Sequence, residues 1–91
     1  MLGTEAVERY LHEQIPLSRQ MGIQVTTCDG TGVRLTAPLA PNINHMGTVF
    51  GGSASAVAML CGWGLMHARI ADLPFATGLV IRRNRMEFDS P

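Results

Sequence analysis

Asn42-Ile43-Asn44-His45-Met46-Gly47-Thr48-Val49-Phe50-Gly51-Gly52-Ser53 joins a polar, glycine-studded loop to a long apolar run, and the reading of that junction decides the fold. Glycines at the head of a helix leave backbone N–H groups unpaired and unshielded, and the helix dipole adds roughly half a positive charge there. A carbonyl oxygen that gains negative charge during a reaction would settle at such a point.

Downstream, Val49 to Met66 contains no charge and holds Ala54, Ala56, Val57, Ala58, Met59, Leu60, Trp63, Leu65 and Met66. A membrane-spanning helix needs about 20 apolar residues. This run reaches that length only by counting Gly51, Gly52, Ser53, Ser55, Gly62 and Gly64, so it reads as a buried helix, covered by sheet on one side and by a partner on another. His67 and Arg69 suit the negative pole of its dipole, Asp72-Leu73-Pro74 breaks the chain, and the helix ends near Ile70. Thr77 to Phe88 then reads as a long strand, apolar through Leu79, Val80 and Ile81, and charged from Arg82, Arg83 and Arg85 onward.

Upstream, Thr4 is expected to cap a helix with Val7, Tyr10, Leu11 and Ile15 on one face, which Pro16 ends. From Gly22 the period changes to two. Ile23, Val25 and Thr27 alternate against Gln24 and Thr26, Asp29-Gly30 signals a turn, and Val33, Leu35 and Ala37 alternate against Arg34 and Thr36. This is a hairpin, closed by Pro38 and Pro41, which open the loop above.

Composition bounds the rest. A chain of 91 residues, 46% hydrophobic, is one domain over 1–91. At this size it buries only about 60 to 65% of its unfolded surface, so self-association into a dimer or higher homo-oligomer is expected. Seven Arg balance seven Asp plus Glu, with no Lys, so no global field attracts nucleic acid or an anionic membrane. The first ten residues carry Glu5 and Glu8 and lack the pattern of a secretory signal, which leads to a cytoplasmic expectation. Cys28 and Cys61 have no metal-ligand spacing and read as reduced. Neither a metal nor a cofactor is called for.

The order helix, strand, strand, loop, long buried helix, strand resembles the hot-dog fold, an α+β architecture in which a curved antiparallel sheet wraps a central helix. Thioesterases of the phenylacetyl-CoA type in that fold carry Asn-x-x-Gly-x-x-His-Gly-Gly at the head of the helix, and Asn44, Gly47, Gly51 and Gly52 stand in that pattern. More specifically, Pro41 to Ser53 together with Gly62-Trp63-Gly64 is similar to the thioesterase-like domain found fused behind an acetyltransferase domain in some bacterial proteins. The resemblance extends from the first strand to Pro91. Hot-dog domains continue with further strands, so it implies a fold truncated after its third strand and a domain incomplete at its C-terminus.

The resemblance implies hydrolysis of an acyl thioester, carried by coenzyme A or an acyl carrier protein. Gly51 and Gly52 would receive the oxyanion, and Asn44 would orient water or the carbonyl. Phe50 stands where those enzymes have the loop His, and Met59 where they place a carboxylate on the helix. His45 is then the candidate general base, ahead of the hydroxyls of Ser53 and Ser55. Asn42, Gly47, Thr48, Phe50, Ser53 and Met59 are the expected substrate contacts.

Structural readings compete with each of these. Asn42 and Asn44 can satisfy loop backbone groups, Gly51 and Gly52 can serve close packing, and Ser53 can be an N-cap. Met59, Trp63 and Met66 read first as core or dimer contacts and second as the lining of an acyl tunnel. The arginines of 82–85 read first as a charged edge strand and second as phosphate ligands. Two other functions stay open: a hot-dog hydratase or dehydratase, disfavoured by the charge-free helix, and a non-catalytic hot-dog module, favoured by Met59.

Overall fold

A computed structural model describes residues 2–29, 31–74 and 80–89. Its first element, α1 (Thr4–Gln14), places Val7 and Leu11 on one buried face, four residues apart. Thr4 does not cap it. The N-cap is Gly3, Thr4 already lies inside the first turn, and no side chain bonds there. Pro16 ends α1 as expected and also starts α2 (Pro16–Gln20), an element the sequence reading missed. Proline suits a first helical position because its absent N–H would be unpaired there anyway.

The hairpin pairs β1 (Gln24–Asp29) with β2 (Gly32–Thr36), antiparallel. Oδ1 of Asp29 accepts the N–H of Thr31 at 2.8 Å and of Gly32 at 3.2 Å and the Thr31 hydroxyl at 2.6 Å, an Asx turn that fixes the register. The register shifts between Val25 and Thr27. This bulge corrects the expected alternation: Ile23 and Val25 are buried, Thr27 is exposed, and Cys28 faces inward instead, because one extra residue turns every later side chain over.

Side chains of α1 tie it to β1. Oε1 of Glu8 accepts the N–H of Val25, and Nε2 of His12 donates to the carbonyl of Ile23, both at 2.8 Å. After β2 a 3-10 turn (Ala40–Asn42) leads through the loop to α3 (Gly51–Ile70), which starts and ends where the sequence suggested. No helix among the described residues is long and apolar enough to cross a membrane.

α3 is less covered than its composition suggests. Leu60, Gly64 and Ala68, spaced by four, are its buried residues, and this single stripe packs on α1 and β2. A Cβ on Gly64 would stand 3.6 Å from Val7. Tyr10, His67 and Trp63 stack beside that contact, with Tyr10 and His67 centroids 3.8 Å apart and Trp63 and His67 5.1 Å apart.

The expected third strand is not formed in its described part. Residues 77–79 lie outside the described residues, and Val80 to Asp89 is exposed and unpaired with either strand. A strand is stabilised by its ladder, and this segment pairs with neither outer edge of the hairpin. The architecture is therefore α+β, a two-stranded antiparallel sheet carrying one long helix.

Candidate active site

The loop before α3 is built around Asn44. Its N–H donates to the carbonyl of Thr48 at 2.8 Å, and its carbonyl accepts the N–H of Gly47 at 3.2 Å, so residues 44–47 form a turn. Gly47 has φ +81°, a left-handed conformation that glycine adopts without steric penalty. Oδ1 of Asn44 accepts the N–H groups of Met46 and Thr48, while Nδ2 donates to the Thr48 hydroxyl and to the carbonyl of Val49. Both donors and both acceptor positions of the amide are thereby used inside the loop.

His45 occupies the tip of this turn. It is exposed, and its ring makes no hydrogen bond with the described residues. A bridge between Ile43 and Val49 closes the loop behind it.

Asn42 has the opposite character. It is 4% exposed, and Nδ2 donates to the carbonyls of Met21 at 2.9 Å and Pro38 at 2.8 Å. Its own carbonyl accepts the N–H of Phe50 at 2.7 Å, which aims the entry into α3. Oδ1 has no partner. A buried acceptor left unpaired costs about 1–3 kcal/mol, so this atom is a local liability of the fold.

The N-cap of α3 is Phe50, whose side chain offers no acceptor. Gly51, Gly52 and Ser53 follow as the first turn, and the N–H groups of a first turn have no acceptor within the helix. Ser53 is thus not the N-cap. The ring of Phe50 lies over Gly52, where an added Cβ would come within 2.5 Å of Cε2. The ring of Phe88 stands 3.6 Å from a Cβ placed on Gly51.

Three clefts adjoin α3. Asn42, Phe50, Gly52 and Ser53 line one of about 340 Å³, together with Leu17 and Gln20 of α2. Asn42 and Ser53 also line a second, of about 380 Å³, beside Pro38 and Leu39. Met59 and Trp63 line a third, apolar cleft with Leu17 and Ala56. The structure thus brings together Asn42, Phe50, Gly52 and Ser53, places Met59 further along the helix, and leaves His45 outside all three clefts. Gly47 and Thr48 serve the loop's own hydrogen bonds. The sequence reading missed Leu17 and Gln20, which carry no motif.

Burial, and secondarily the charge of Asp29, raises the Cys28 thiol above its ordinary value, so it is protonated at neutral pH and a poor nucleophile. Burial lowers His67. Among the described residues no group of three or more His, Cys, Asp or Glu is placed to hold a metal ion.

A hairpin laid on a long helix whose head is met by a glycine-rich loop is the arrangement of the hot-dog thioesterase-like proteins, and two solved structures share it. One is a protein of unknown function from Chlorobaculum tepidum TLS, 33% identical, with a TM-score of 0.75 over 80% of this chain and 45% of that one. The other is a putative thioesterase from Shewanella oneidensis, 32% identical, with a TM-score of 0.70 over 75% of this chain and 48% of that one. The chain spans just under half the length of these proteins. The model of the family described as putative thioesterase (yiiD_Cterm) matches residues 4–91, and the chain belongs to that family.

Proposed function

We propose that this chain hydrolyses acyl thioesters of coenzyme A or an acyl carrier protein, with the carbonyl oxygen received by the N–H groups of Gly51 and Gly52. The observation that carries the reading is the N-cap. Phe50 leaves the first-turn donors of α3 without a side-chain acceptor, beside a cleft that contains Gly52 and Ser53. Each such donor is worth on the order of 3 kcal/mol in a reaction that develops an oxyanion.

Water attacks the carbonyl carbon, His45 takes its proton, the C–S bond breaks, and the departing sulfur is reprotonated. Asn44 is a positioning residue in this scheme: its saturated amide fixes the turn that presents His45. The exposed apolar side chains of Ile43, Met46 and Val49 surround that turn, so a second copy of the chain docked on them would bring His45 to a neighbouring site. The reading includes a cytoplasmic homo-oligomer, of the kind fused elsewhere to an acetyltransferase domain.

A second reading, a non-catalytic hot-dog module, is favoured by the position of His45 outside the clefts. Short, medium and long acyl-CoAs assayed for free thiol separate the two. Release that depends on His45 is expected; no release from any chain length at high protein concentration rejects catalysis.

A further inference from the structure

Asn42 and Ser53 stand between two hollows of similar size. One lies under Phe50, against α2; the other lies beside Pro38 and Leu39, where β2 ends. Both residues line both hollows, so the pair forms a saddle at the head of α3.

The saddle holds an unused acceptor. Asn42 is 4% exposed and its Oδ1 is unpaired among the described residues, while Nδ2 is fixed by the carbonyls of Met21 and Pro38, so the amide cannot turn over to change which atom is orphaned. Buried polar atoms are ordinarily paired, and Asn42 Oδ1 shares its lack of a partner among the described residues with Ser18 Oγ.

The two hollows lead to different places. Leu17 and Ala56, which line the hollow under Phe50, also line the apolar cleft that continues to Met59, Leu60 and Trp63. Gly52, Ala56, Leu60 and Trp63 recur at helical spacing and make one stripe of α3. At about 1.5 Å per residue the stripe runs about 16 Å from Gly52 to Trp63. The hollow beside Pro38 and Leu39 shares no lining residue with that apolar cleft, and its rim is open, with Leu39 and Val49 each about half exposed.

We propose that a thioester binds across the Asn42–Ser53 saddle, its acyl chain under Phe50 and along α3 towards Trp63, its thiol limb in the hollow beside Pro38 and Leu39. The proposal rests on the thioesterase reading above. An alkyl chain needs an apolar stripe and no polar partner, and the stripe supplies that. The thiol limb of coenzyme A or an acyl carrier is polar and continues into a solvated carrier, and the hollow beside Pro38 and Leu39 is the one whose rim opens outward. Leu17 and Ala56 form a neck between the first hollow and the apolar cleft, and this neck selects by length. Gly52 to Ala56 is about 6 Å along the helix, the reach of about five carbons of an extended chain built from bonds of about 1.5 Å.

Trp63 is the only tryptophan of the chain and stands at the far end of the stripe, so its emission reports how far a ligand reaches. The probes are non-hydrolysable S-alkyl thioethers of coenzyme A, from ethyl to dodecyl, titrated against the full chain. Short thioethers bind without moving Trp63 emission; those beyond about six carbons pass the neck into the cleft that Trp63 lines and shift it progressively up to dodecyl, and affinity rises by up to about 4-fold per methylene. Ala56→Leu narrows the neck and lowers the long-to-short affinity ratio by about tenfold, the loss of roughly two methylene contacts. Leu17→Trp closes the same neck from α2 at a side chain 60% exposed, where folding is not at stake, and produces the same loss. Thiol release from acetyl-CoA to dodecanoyl-CoA is measured in parallel. Hydrolysis accompanied by Trp63 emission that ignores chain length, or ratios unaltered by both substitutions, overturns the saddle and leaves hydrolysis standing. Length-graded Trp63 shifts without thiol release support the saddle path and reject hydrolysis.

Discussion

Nδ2 of Asn42 donates to the carbonyl oxygen of Met21 at 2.9 Å, a buried bond that joins the turn before α3 to the end of α2 across 21 residues. With the bond to Pro38 and the backbone link to Phe50, one side chain and its own peptide hold α2, the exit of β2 and the head of α3 together. Asn42→Ala strands the carbonyls of Met21 and Pro38 while removing the unpaired Oδ1, and the expected net cost is about 1–3 kcal/mol. Each kcal/mol lowers the melting midpoint by about 4–8 °C in a domain of this size. Asn42→Asp should be worse, because a carboxylate facing two carbonyls has nothing to donate. A melting curve for Asn42→Asp that overlays the parent would remove the clamp.

Gly52 and Phe50 are coupled sterically, and a double-mutant cycle measures the coupling. Alanine is favoured over glycine within helices by up to about 1 kcal/mol. In the native background that gain is opposed, since the new Cβ meets the Phe50 ring at 2.5 Å and displaces it. Gly52→Ala is therefore expected to stabilise the Phe50→Ala chain measurably and the native chain little or not at all. Equal stabilisation in both, read from urea midpoints, would show that the ring does not press on Gly52.

The long helix and the hairpin were legible because each rests on local chemistry: Gly51-Gly52-Ser53 ahead of an uncharged run, and Asp29 ahead of Gly30 between two alternating segments. What stayed hidden depends on longer range. Nothing local marks the bulge that exposes Thr27, and an all-apolar α3 does not disclose that only Leu60, Gly64 and Ala68 are buried outright by the described residues. The two asparagines of the motif show the limit most clearly. Asn44 and Asn42 lie two residues apart, yet one spends its amide on its own loop while the other reaches Met21 and keeps an unpaired oxygen; the difference is created by loop closure on Thr48 and by the packing of α2.

If His45 takes the proton from water, His45→Ala should lower kcat by about 10²–10⁴-fold with a small change in KM. Asn44 acts through the turn, so Asn44→Ala should lower kcat nearly as far, whereas Asn44→Asp, which keeps an acceptor for the N–H groups of Met46 and Thr48, should recover part of the loss. Melting midpoints separate this from simple unfolding: His45→Ala, at an exposed side chain, should melt with the parent while its kcat falls. An unaltered kcat in His45→Ala would take His45 out of the mechanism.

His67 stacks on Tyr10 at a centroid distance of 3.8 Å, and burial holds its pKa below the ordinary histidine value of about 6.5. A folded-state pKa that is depressed means that the unfolded chain takes up the proton first as pH falls. Stability is then complete above about 6.5 and is lost progressively as pH drops through that value towards the lowered pKa of the folded state. The clasp between α1 and α3 should weaken over this window, so the melting midpoint of the native chain declines there. His67→Phe keeps a flat ring against Tyr10 and Trp63 but cannot titrate. The decline between pH 6.5 and the onset of carboxylate protonation should be markedly shallower in His67→Phe; parallel slopes in the two proteins would assign the pH response to another group.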